Sequence, residues 1–274
     1  MKPVLEIVLD DLKSMTNVEE GVSVLLPGAG LGRLLVELSL AGYDVEGNEI
    51  SYHQLFALNY VLNYAQTAEQ FRLYPFVTTF TNKLSRSDQL RCVKVPDVHA
   101  RTAISERTRE SSLAGGRVQR PGSIRMSAGD FITSYSTAEA EGPFDAVVTV
   151  YFIDTAPNLI SYIETVRHAL RDGAVWINVG PLLWHFKDRV VKQTQDGTDT
   201  DMSGQGQDSQ PARGIDELGS FELTNDEVLD LISRMGFEIV KQEVLESSHG
   251  SYMEDPSSML QSRYRSSHWV ARKK

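Results

Sequence analysis

The chain has 274 residues and a formal net charge of −10 at neutral pH. That is long enough to bury a sizeable core as one domain with insertions, and too acidic for a general binder of phosphate backbones, which needs clustered positive charge. The single cysteine, Cys92, excludes an internal disulfide and implies no oxidising compartment. No apolar run reaches the roughly 20 residues that cross a bilayer, and no signal-peptide pattern follows Met1. The expectation is a cytoplasmic protein, with nuclear entry left open and with no membrane or nucleic-acid partner.

Taken in order, residues 3–12 have apolar side chains at helical spacing and predict a helix against a sheet edge. Residues 22–26 read as a buried strand that breaks into Pro27-Gly28-Ala29-Gly30-Leu31-Gly32 ahead of a second helical pattern. Glycines at such a junction allow a tight turn and the close approach of a ligand. A dinucleotide site usually shows G-x-G-x-x-G; here Arg33 stands where the third glycine would fall. The spacing suits S-adenosylmethionine better, although a tight packing turn would look the same. A second strand, residues 43–47, delivers Glu49 to its carboxyl end, where an acidic side chain can accept hydrogen bonds from a ribose.

Ser51 starts the next helix, and residues 72–122 read as an insertion whose later part, basic and poor in apolar residues, predicts a mobile loop. A short strand at 123–127 ends in Ala128-Gly129-Asp130-Phe131. Asp130 can accept a hydrogen bond from an adenine amino group while Phe131 packs on the ring, or it can cap the following helix. Residues 144–150 read as a central parallel strand running into Tyr151-Phe152-Ile153-Asp154. Asp154 then either caps the helix over 158–170 or meets a substrate at the mouth of the sheet. Gly173 is expected to end that helix and residues 174–179 to form the next strand, which brings His185 to the same edge as a packed or a functional histidine. Residues 193–218 have almost no apolar side chains and read as disordered. A capped helix follows Thr224, and segments 237–245 and 264–271 read as a late antiparallel pair. Their connection, with Tyr252, Met253, Pro256 and Met259, could cover the site. Repeated βα units with a final strand pair predict an α/β fold, a mostly parallel seven-stranded Rossmann-like sheet of the methyltransferase kind.

The blocks LLPGAGLGRLLVELSLAGYDVEGNEISYHQLFALNYVLN, LYPFVTTFTNKLSRSDQLRCVKVPDV, SAGDF, FDAVVTVYFIDTAPNLISYIETV and WINVGPLLWHF closely resemble the carnosine N-methyltransferase, or N2227-like, family. The resemblance implies a class I methyltransferase that uses S-adenosylmethionine to methylate an imidazole nitrogen of carnosine, giving anserine. No metal is required. It implies cofactor contacts at Gly28, Ala29, Gly30, Glu49, Asp130 and Phe131, and substrate contacts at Asp154, His185 and Tyr264, with Asp154 and His185 catalytic. A homodimer is compatible with it. Family members usually carry a long helical region ahead of the glycine motif, whereas here the resemblance begins near Lys2, so a truncated or naturally short form is expected. Another histidine-containing acceptor, or a non-catalytic binding module, is the competing reading.

Overall fold

The computed structural model describes residues 2–18, 21–115, 118–188, 221–246, 255, 257–261 and 263–274. Helix α1, Lys2–Met15, leads into β1, Ser23–Pro27, and the glycine turn feeds α2, Arg33–Leu40. Strand β2 is Asp44–Glu49, and α3, Tyr52–Asn63, is capped by Ser51, whose hydroxyl accepts the Gln54 N–H. The insertion holds β3 (Phe71–Leu73), α4 (Arg86–Gln89), β4 (Val93–Val95) and α5 (Ala100–Leu113). Then come β5 (Ile124–Ala128), α6 (Phe131–Tyr135), β6 (Phe144–Val150), α7 (Leu159–Ala169), β7 (Leu170–Gly180), α8 (Asn225–Arg234), β8 (Phe237–Val244) and β9 (Ser267–Lys273).

Seven strands form one sheet in the order β5-β2-β1-β6-β7-β9-β8. The first five pair in parallel, and β9 runs antiparallel between β7 and β8. The central strands are apolar along their length, as strands covered on both faces must be. On one face Trp176, Trp269 and Phe237 pack with the apolar sides of α7 and α8. On the other, Val8 and Leu12 of α1 and Leu35 and Leu38 of α2 pack on Val45, Val148 and Ile177. The chain runs from β1 outward to β2 and β5, then returns past β1 to β6. A crevice therefore opens between the carboxyl ends of β1 and β6, the point where ligands of open α/β sheets collect.

Two expectations are corrected. Where composition predicts a loop over 101–120, residues 100–113 form α5. Its apolar face is too thin to read from sequence. Small buried residues Ala100 and Ser111 let it lie close, and the Ser111 hydroxyl donates to the Val118 carbonyl at 2.7 Å. The second concerns Gly173. Helix α7 ends at Ala169 and β7 begins at once, so Gly173, with φ +77°, sits within the irregular start of that strand rather than at a helix end. The expected loop over 193–218 lies outside the described residues, as do Tyr252, Met253 and Pro256. Among the described residues no helix is long and apolar enough to cross a membrane.

A polar cluster fastens α1 to the far edge of the sheet. His268 on β9 is fully buried, with Nε2 2.5 Å from an Asp11 oxygen and Nδ1 2.7 Å from Glu243. Lys241 Nζ donates to the other Asp11 oxygen at 2.9 Å. Each ring nitrogen of His268 thus faces a carboxylate oxygen, a group that only accepts when ionised. Burial pushes the Asp11 carboxyl up, but hydrogen bonds from His268 and Lys241 outweigh it and hold it below the usual range. The His268 hydrogen bond does the same for Glu243. Carboxyls with depressed values stabilise the fold fully above their unfolded values, about pH 4, and lose that contribution as pH falls through the folded ones. Asp11→Ala should therefore lower the urea-unfolding free energy by roughly 3 kcal/mol at pH 6, and its gap to wild type should close on acidification below pH 4. A gap that stays constant with pH would remove this cluster as the cause.

Candidate functional site

The turn after β1 is shaped by what its backbone must do. Gly28, Gly30 and Gly32 all have left-handed φ, +67°, +58° and +77°. A Cβ on Gly28 would stand 2.7 Å from the Phe152 ring, so both conformation and space demand glycine there. The turn is tied to the neighbouring strand ends: Ala29 N–H donates to the Asn48 carbonyl at 2.9 Å, and Gly129 N–H to the Glu49 carbonyl at 3.0 Å. The Asn48 side chain reaches the Gly129 carbonyl at 3.1 Å. The carboxyl ends of β1, β2 and β5 thus form one bonded ledge.

Glu49 completes it. One carboxylate oxygen accepts the Gly30 N–H and the other the Ser51 N–H, both at 2.9 Å. A carboxylate has about four acceptor positions, so each oxygen keeps one lone pair for a ligand hydroxyl. Above this ledge lies a cavity of about 430 Å³, lined by Gly28, Glu49, Asp130, Phe131 and His185 among others. Five residues singled out from sequence, carried by four different strand ends, therefore meet on one wall. Asp130 caps α6, its side chain accepting the Thr133 N–H at 3.1 Å, and it also borders the cavity.

Four other expected residues do not border the cavity. Gly30 and Ala29 are behind the wall and act through the turn. Tyr264 is half-buried on the approach to β9 and does not border the cavity. Asp154 is fully buried and does not border it either. One Asp154 oxygen accepts the Leu183 N–H at 3.0 Å, and its backbone carbonyl accepts the His185 N–H at 3.0 Å. The second carboxylate oxygen, Oδ1, is buried with no partner among the described residues. Burial pushes this carboxyl up; the Leu183 N–H and the nearby His185 oppose that. Instead of capping α7, a task taken by Asn158, Asp154 sits beneath the turn that presents His185.

Backbone strain gathers at the same place. Tyr151, directly after β6, has φ +54°, and Trp184, beside His185, has φ +47°. Left-handed conformations cost such residues about 1–3 kcal/mol and persist only where surroundings enforce them. Here they are enforced. Tyr151 N–H donates to Val179 at 2.8 Å, with Gly180 close enough that a Cβ would be 3.1 Å from Tyr151. The Trp184 indole N–H donates to Leu223 at 3.0 Å, and its ring meets Phe221 edge-on.

Sequence reasoning missed Gln54, Phe152, Thr155 and Tyr162 on the cavity wall. Phe152 and Thr155 could have been found from their place just after β6. Tyr162 comes from within α7, and nothing in its local pattern separates it from core.

The segment before β9 is fastened to the insertion. Asp255 accepts from Lys83 at 2.7 Å and Arg91 at 2.9 Å, and Met259 N–H donates to Asn82. Of the residues expected to cover the site, Met259 is thus held against the insertion and does not border the cavity. Among the described residues no cluster of His, Cys, Asp or Glu could hold a metal ion.

This strand order, with a glycine turn and an acidic residue at adjacent strand ends, defines the class I S-adenosylmethionine-dependent methyltransferase fold. A SAM-dependent methyltransferase from Methanosarcina mazei superposes with a TM-score of 0.52 at 15% identity, covering 96% of each chain. The profile of the carnosine N-methyltransferase family matches residues 1–274, and the chain belongs to that family. The carnosine N-methyltransferase of Schizosaccharomyces pombe is 35% identical over 251 residues, 92% of this chain and 58% of its own. That of Mus musculus is 32% identical over 275 residues, 99% of this chain and 56% of its own. The chain spans about half the length of the curated relatives it matches.

Proposed function

We propose that the protein is an S-adenosylmethionine-dependent N-methyltransferase that methylates the imidazole of carnosine, giving anserine. The observation that carries this reading is the meeting of Gly28, Glu49, Asp130 and His185 around one cavity at the sheet's switch point, in a chain of this family. The residues fit the cofactor. Gly28 borders the cavity and by lacking a Cβ makes room for the Phe152 ring beside it, Glu49 keeps acceptor capacity for ribose hydroxyls, and Asp130 with Phe131 offers an acceptor and a ring to adenine. When bound there, S-adenosylmethionine would supply a methyl group on a positively charged sulfur.

The protein's own part is to orient the acceptor and stabilise charge. The attacking imidazole nitrogen must be neutral, and the ring becomes positive as the bond forms. His185 borders the cavity and is held there through the Asp154 carbonyl, so it orients the acceptor. Asp154, buried and with one oxygen unpartnered, places negative charge behind it. In a water-poor setting such a charge favours the developing cation strongly. Holding the reactants in line supplies much of the remaining acceleration.

Transfer of labelled methyl to carnosine by the purified chain, with anserine identified as the product, tests it. Label in a histidine peptide but not in carnosine would move the acceptor. Transfer to neither, with donor binding intact, would overturn the substrate reading.

A further inference from the structure

The cavity is bordered by five aromatic side chains, Phe131, Tyr151, Phe152, Tyr162 and Phe186, and by the carboxylates Glu49 and Asp130, with no lysine or arginine among the described lining residues. Its environment is therefore suited to a cation. Three of the rings form a fixed group. Phe152 and Tyr162 lie nearly parallel, with centroids 5.2 Å apart, and Phe131 meets them at steep angles at 5.5 and 5.4 Å. Tyr162 covers one face of Phe152. Its hydroxyl is pushed up to about 12, chiefly by burial, with a hydrogen bond to Thr155 opposing the rise and Asp130 adding to it, so the ring stays neutral. Phe152 is the member that reaches the glycine turn, its ring edge filling the space above Gly28.

The placement of Phe152 is enforced from both sides in sequence. Tyr151 before it is held at a left-handed φ, and the Thr155 hydroxyl donates to the Phe152 carbonyl at 2.6 Å. An aromatic side chain kept partly exposed at the mouth of a cavity, by a strained backbone and a ring stack, is more than core packing requires. Aromatic faces carry negative charge density and attract cations, the more so where water is excluded.

We propose that Phe152, braced by Tyr162 and Phe131, reads the charge of the methyl donor, favouring the sulfonium over the neutral thioether product. This rests on the S-adenosylmethionine reading above. The donor and its product differ by one methyl group and one positive charge, and the ledge of Gly28, Glu49 and Asp130 addresses parts common to both. A charge-reading ring would favour release of product over loss of donor.

Calorimetry on the purified chain with S-adenosylmethionine, S-adenosylhomocysteine and sinefungin, which carries an ammonium in place of the sulfonium, separates charge from shape. Phe152→Leu should weaken the two cationic ligands about tenfold and the neutral one by less than about threefold. Phe152→Met should show the same selective loss, so the result does not hang on one variant's folding, and Phe152→Tyr should retain wild-type preference. Equal weakening of all three ligands, or none, would overturn the role given to the ring while leaving the cofactor reading in place. Wild-type protein that binds none of the three would overturn both.

Discussion

Asp154→Asn should lower kcat for methyl transfer about 100- to 1,000-fold, the scale of removing one preorganised electrostatic group, while the affinity for S-adenosylhomocysteine stays within about twofold. The carboxamide keeps the shape of the side chain, and its oxygen can still accept the Leu183 N–H. The backbone carbonyl that holds His185 is untouched. What disappears is negative charge behind the acceptor site. Thermal stability should move the other way. Burial raises the Asp154 carboxyl above its unfolded value. A carboxyl so shifted favours folding only while protonated, and its ionised form costs stability as pH rises past the unfolded value. At neutral pH the Asn variant should melt at or above the wild-type temperature. The acidic limb of the kcat profile that reports this carboxyl should vanish with it. A variant within threefold of wild-type kcat would reduce Asp154 to a brace for the turn.

The second large effect is expected at Glu49. Glu49→Gln replaces one acceptor oxygen with an NH₂ group, which must face either the Gly30 or the Ser51 N–H. One donor is left without an acceptor, at a cost of about 1–3 kcal/mol where the group is buried. Unfolding of the free protein reads this loss. Calorimetry reads a separate one: fewer acceptors remain for ribose hydroxyls, and S-adenosylhomocysteine should bind about 10- to 100-fold more weakly, as when a buried polar partner is removed. Unchanged affinity with lowered stability would make Glu49 a fastening of the turn alone. The two measurements together separate its structural and ligand-binding parts.

The positions that met on the cavity wall were legible because each follows a strand, and strand ends are well marked in this chain. Gly28 follows an apolar run, Glu49 ends the next, Asp130 lies in SAGDF just past a third, and His185 follows the run ending at Gly180. Period and punctuation place such residues at one sheet edge without any knowledge of packing. Helix α5 was not legible, because its contacts rest on small residues whose burial has no sequence signature. Asp154 was placed at the correct edge but not at the correct depth. Its burial depends on how residues 181–185 fold back over it, and that path is set by the Leu183 and His185 N–H groups finding Asp154.

The sequence alone determined the class of fold, the glycine turn and the order of the βα units, since these follow from local pattern and from turn chemistry that neighbouring residues specify. The tertiary structure decided what required distant parts to meet. It inserted β9 between β7 and β8. It buried His268 between Asp11 and Glu243, over separations of 257 and 25 residues. It stacked Phe152 on Tyr162 above the glycine turn. Such contacts arise from the packing of whole elements, where side-chain volume, charge pairing and backbone strain are settled together, and no local stretch of sequence carries that information.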